Sequence, residues 1–176
     1  MKKISLLSVI FAYAVLIMPA KASAQSTSST GSSKFVDRLV LELGVTAGTS
    51  YKDLRPLELN VNAGYRFIPR MFAFIHAGAE YGLYNGDNKV KTYTHSQLLG
   101  GGLGYTFYKE KYLNIDVRCM MNSSIGNADW KQTVYDAGVT FNIRGFVVGL
   151  GYRHINSRSS MIKDYNGMYG TIGIGL

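Results

Sequence analysis

Apolar and polar residues alternate with a period of two along most of the chain between residue 38 and residue 176. A strand turns successive side chains to opposite faces, so this pattern gives each segment one apolar and one polar face. Helical spacing fits none of the segments as well, because matches at i+2 persist where i+3 breaks. No internal stretch approaches the roughly 18 apolar residues a spanning helix needs, so a membrane could be crossed only by strands. The last run, Met168 to Leu176, alternates to the final residue printed. Such an edge invites aggregation unless the sheet closes on itself, and its expected partner is the first segment, near Leu39 to Ala47.

Eight segments follow from the alternation, most near the 9–11 residues of a tilted membrane strand. The first is Arg38 to Gly48, with Leu39, Leu41, Leu43, Val45 and Ala47 on one face. In the second, Leu57, Leu59, Val61, Ala63, Tyr65 and Phe67 oppose Glu58, Asn60, Asn62, Gly64 and Arg66. The third sets Ala73, Ile75, Ala77, Ala79, Tyr81 and Leu83 against Phe74, His76, Gly78, Glu80 and Gly82. The fourth, fifth, sixth and seventh centre on Leu103, Val117, Val139 and Leu150, and the eighth is the terminal run.

Connections of two lengths separate the segments. Ile68-Pro69-Arg70, Tyr108 to Lys111 and Asn142-Ile143-Arg144 read as tight turns; Thr49 to Pro56, Asn85 to Lys91, Ser123 to Asp129 and Asn156 to Asp164 read as longer polar links. Regular alternation of short and long is the asymmetry of outer-membrane barrels, with short periplasmic turns and longer external loops. Aromatics concentrate at both ends of the segments, as interfacial girdles do. Tyr65, Phe67, Phe72, Tyr105, Phe107, Tyr112, Phe141 and Phe146 flank the tight turns; Tyr81, Tyr84, Tyr93, Trp130, Tyr135, Tyr152 and Tyr165 lie toward the long links.

The first 24 residues read as an export signal. Lys2 and Lys3 precede the apolar run Ile4 to Ile17, and Ala22-Ser23-Ala24 is a small-residue cleavage site. Residues 25–35 form a Ser/Thr-rich flexible lead-in, and 36–176 the barrel domain. Without Lys2, Lys3 and Lys21 the formal charge falls from +8 to +5. That unclustered excess does not suit nucleic-acid binding. The single cysteine, Cys119, excludes an internal disulfide framework. His76, His95 and His154 are scattered without ligand spacing, so neither a metal nor a cofactor is implied. Gly100 to Gly104 lacks the strand-loop-helix setting of a phosphate loop.

Charge placement decides which face is inside. The lysines beyond the signal sit in links, segment ends or the lead-in, whereas a soluble, lipocalin-like barrel would spread several over its outer faces. The polar faces instead hold Arg38, Arg66, Arg118 and Arg153 together with Glu42, Glu58, Glu80, Asp116, Asp136 and His76. An eight-stranded barrel is just wide enough for side chains to fill. These ten residues are therefore expected to point inward, pair across the lumen and plug it, with glycines making room.

On these residues the chain resembles the small eight-stranded outer-membrane barrels, the class of the outer-membrane protein A transmembrane domain and outer-membrane protein X. The resemblance covers Val36 to Leu176. It implies an all-β, antiparallel, up-and-down transmembrane β-barrel in the outer membrane, embedded in lipid and lipopolysaccharide and assembled by the barrel-assembly machinery. The role it implies is structural or surface-interactive, with an unspecified extracellular ligand. Members of the class commonly end in an aromatic, where this sequence has Leu176. An alternative is a lipid A-modifying hydrolase. Tyr152 to Ser157 faintly resembles the His-x-Ser-Asn segment of outer-membrane deacylases, although His154 and Ser157, three apart on a strand, face opposite ways.

Overall fold

The computed structural model describes residues 37–50, 54–86, 89–128, 130–158 and 163–176. The expected signal (1–24) and lead-in (25–35) lie outside the described residues. Eight strands follow in chain order: β1 (Leu39–Gly48), β2 (Leu54–Ile68), β3 (Met71–Gly86), β4 (Lys89–Lys109), β5 (Leu113–Ile125), β6 (Gln132–Ile143), β7 (Phe146–Ser157) and β8 (Tyr165–Gly175). They close into one antiparallel barrel in which every strand pairs with its sequence neighbours. Closure runs from Glu42 opposite Gly175 to Gly48 opposite Tyr169, so β8 covers the free edge of β1. Both sheet edges are thereby removed.

Period-two alternation is the physical cause of the barrel's two surfaces. The outward parity exposes Ile75, Leu103, Val117, Leu150 and Ile172, with Phe146 68% and Ile75 63% accessible. The inward parity buries Glu42, Glu58, Asn60, His76, Asp116, Asp136 and Arg153. An apolar exterior around a polar interior inverts a water-soluble barrel and matches a strand-built membrane span.

One connection departs from the expected short-long alternation. Asn85 to Lys91 is not a long link: β3 and β4 continue as a ladder to Gly86 opposite Lys89, around residues 87–88. The β-branched and aromatic run Val90 to Thr94 favours extended backbone, which gives β4 its 21 residues. A register shift between Gly82 and Leu83 marks where the extension begins.

The β6–β7 turn shows how sequence fixes the short connections. Ile143 opposes Phe146, leaving Arg144 and Gly145 as a two-residue loop. Both have positive φ, 52° and 91°, as the two central residues of a type I′ turn must. Asn142 Oδ1 accepts a hydrogen bond from Gly145 N at 3.1 Å and fastens the loop.

Candidate functional site: the barrel lumen

Strand alternation brings charged residues from six strands into one enclosed column. Near its short-turn end, Arg118 on β5 grips Glu42 on β1 with two bonds, Nη1 to Oε2 at 2.6 Å and Nη2 to Oε1 at 2.8 Å. The same guanidinium donates to Asp116 Oδ2 at 2.8 Å. Asp116 Oδ1 accepts from Thr106 Oγ1 at 2.6 Å, which accepts from Arg66 Nη1 at 2.7 Å. Toward the other end, Arg153 on β7 donates twice to Asp136, at 2.8 Å each, and to Glu58 Oε2 at 2.9 Å. Glu58 Oε1 lies 2.6 Å from His76 Nε2.

Asn62 joins the two groups. Its Nδ2 donates to Glu42 Oε2 at 3.1 Å, while its Oδ1 faces His76 Nδ1 at 2.7 Å. A single chain of contacts therefore runs from Arg66 through Arg118, Glu42, Asn62, His76 and Glu58 to Arg153 and Asp136. Bidentate charge-assisted bonds of this kind are the strong ones, and they repay part of the desolvation of buried charge.

Nine of the ten lumen residues read from the sequence occupy the inward parity. Eight belong to this chain of contacts. Glu80, fully buried, instead accepts from Gln132 Nε2 at 2.6 Å, and its Oε1 has no partner among the described residues. Arg38 is not brought in: it precedes β1, where strand alternation no longer applies, and it is exposed.

Apolar groups flank the polar chain, which the charge pattern did not reveal. Phe72, Phe74, Val40 and Met120 pack together near the short turns. Leu98, Val134, Ile155 and Tyr165 pack together toward the long connections. Phe72, Trp130 and Tyr165 are thus not girdle aromatics. Phe72 is fully buried in the lumen, Trp130 is 4% exposed and Tyr165 packs inward. For Phe72 the parity signal was present, since it stands two residues before Phe74 and four before His76. Two cations stand over its ring, Arg66 at 4.8 Å and Arg118 at 5.2 Å from the centroid. Gly104 makes this possible, because a Cβ there would run into the Phe72 ring. At Gly78 a Cβ would stand 2.5 Å from Glu58 Oε1. Between the polar side chains lie two small cavities of about 40 and 30 Å³, both bordered by Asn60, Asn62 and Arg118.

The His154–Ser157 segment does not assemble as a nucleophile and base. Alternation along β7 puts the two on opposite faces. His154 Nδ1 is engaged by Asn166 Oδ1 at 2.6 Å, and its ring lies 5.9 Å from that of Tyr135. Ser157 N donates to Asp164 Oδ1 at 2.8 Å.

No family model matches the chain, and no curated protein matches it. Among solved structures, a de novo designed transmembrane β-barrel aligns over 79% of this chain and 95% of its own, at 13% identity and a TM-score of 0.46. The Yersinia pestis outer-membrane protein Ail, in a phospholipid bilayer nanodisc, aligns over 79% of this chain and 99% of its own, at 14% identity and a TM-score of 0.46. The crystal structure of Ail, the attachment invasion locus protein, aligns over 78% and 93%, at 15% identity and a TM-score of 0.36.

Proposed function

We propose that this protein is an integral outer-membrane barrel with a non-enzymatic, structural or surface-interactive role, whose lumen is a packed polar core rather than a conduit. The observation that carries the reading is the pairing of an exposed apolar exterior with a buried, cross-linked polar interior. Lipid is the solvent that accepts the first, and ion-pair chemistry keeps the second closed. On this reading residues 1–24 direct export, the barrel-assembly machinery inserts the chain, and the long connections face outward beside lipopolysaccharide. Lys131, Arg158 and Lys163 are exposed at those connections, with Asp164 among them. Cations there suit lipopolysaccharide phosphates, and the loops are the recognition surface for an external partner.

The test is fractionation followed by reconstitution. The folded protein is expected in the outer-membrane fraction, with an electrophoretic mobility that changes on heating, and planar bilayers containing it should show no steady conductance. Recovery as a soluble periplasmic protein would overturn the membrane reading. Persistent ion conductance by the wild type would overturn the closed lumen alone.

A further inference from the structure

The short-turn rim carries an excess of exposed positive charge at the level where the apolar exterior ends. Arg70, Lys109, Lys111 and Arg144 lie in or beside the three short turns, against one side-chain carboxylate, Glu110, and all five are exposed. Two of these cations converge on one ring. The Arg144 guanidinium stands 4.4 Å and the Lys111 ammonium 5.1 Å from the Tyr112 centroid. The two charges are therefore at most about 9.5 Å apart, a separation on the order of the Debye length at physiological salt. Among the described residues no carboxylate pairs with either. Arg144 N donates to Tyr112 O at 3.1 Å, which ties the β6–β7 turn to the β4–β5 turn. The negative face of the tyrosine ring offsets part of the mutual repulsion, and among the described residues no side chain accepts a hydrogen bond from either cation. Ile143 and Phe146 flank Arg144, 49% and 68% exposed, so apolar side chains adjoin the charged pair.

We infer that Lys111, Tyr112 and Arg144 form a site for the phosphate of an anionic phospholipid in the periplasmic leaflet. The inference rests on the outer-membrane reading, since that reading places the short turns on the periplasmic side. Arginine offers a planar fork to phosphate oxygens and lysine a point charge. The exposed Ile143 and Phe146 accept the acyl chains of the same lipid. A positive, aromatic-backed rim of this kind favours phosphatidylglycerol over zwitterionic lipid.

The test places the full-length protein in phosphatidylcholine vesicles that carry trace spin-labelled phosphatidylglycerol or spin-labelled phosphatidylcholine. The motionally restricted boundary fraction is read by electron paramagnetic resonance. Wild type should prefer the anionic label on the order of fivefold, the effect of one cation held near a membrane surface. Lys111→Gln with Arg144→Gln should bring the preference close to one, and Arg144→Lys should keep most of it. If the double variant does not fold, Tyr112→Leu, which removes the ring that gathers the cations, should lower the preference instead. An anionic preference unchanged by these rim variants overturns the site. Wild type that inserts but shows no preference overturns this inference alone. Failure to insert in any vesicle overturns the membrane reading together with it.

Discussion

Arg153 serves two carboxylates from different strands at once, Asp136 on β6 and Glu58 on β2, while being only 3% exposed. Removing it strands both acids in the lumen: among the described residues His76 is the partner left to Glu58, and none of comparable strength is left to Asp136. Breaking a buried pair from one side costs about 3–5 kcal/mol. Arg153→Met should lower the unfolding free energy in lipid vesicles by about that amount, read by urea titration, and Asp136→Asn in the same chain should recover part of it. Equal stability of Arg153→Met and wild type would show that the ion pair contributes nothing net. Gly104 tests packing rather than charge. A methyl there meets the Phe72 ring, so Gly104→Ala should cost about 1–3 kcal/mol, as overpacked cores do. Phe72→Leu should relieve the clash in the double variant, and a simple sum of the two single costs would mean that the contact is not the cause.

Individual strands carry the clearest sequence information in the molecule. Parity alone placed Glu42, Glu58, His76, Asp116 and Arg153 inside, because a strand offers only two faces. It said nothing of partners: Arg118 meets Glu42 across 76 residues of sequence, and that meeting depends on barrel stagger and side-chain reach. Asn62 was legible as inward but not as the link between the two charge groups. Arg38 stays outside because it precedes β1, and alternation sets side-chain direction only within a strand. Asn85 to Lys91 reads as a link because its composition is polar, and polar composition alone does not separate a loop from a paired strand. The outward parity is open to a direct check. Leu103 is exposed on β4 between Ala73 and Cys119, so Leu103→Arg should cost about 2–4 kcal/mol in vesicles, the cost of a cation deep in the lipid-facing belt. At the β6–β7 turn the backbone and the rim pull in opposite directions. Arg144 holds φ at 52°, a region that costs a non-glycine residue roughly 1–2 kcal/mol. Arg144→Gly should therefore raise stability by about 1 kcal/mol in purely zwitterionic vesicles. No gain there would place the strain elsewhere.

For the molecule as a whole, the decisive property is which solvent touches the outside. Closure of β8 on β1 leaves the sheet no terminal edge strand, the condition a sheet must meet before hydrocarbon can surround it. The exterior then has to be apolar all the way round, and one residue reports on this directly. Cys119 is the sole cysteine of the chain and is exposed on β5, opposite Leu103 on one side and Ala137 on the other. All three share the outward parity. A polarity-sensitive maleimide dye attached to the unfolded protein, followed by refolding into vesicles, should report a hydrocarbon environment. Lipids brominated on the acyl chain should quench it, and aqueous iodide should not. The opposite quenching pattern would put water against the middle of the barrel wall, and the apolar surface would then need a protein partner in place of a bilayer. The readout is independent of the lumen. It separates a failure of the membrane reading from a failure of the ion-pair core, which the Arg153 series tests from the inside.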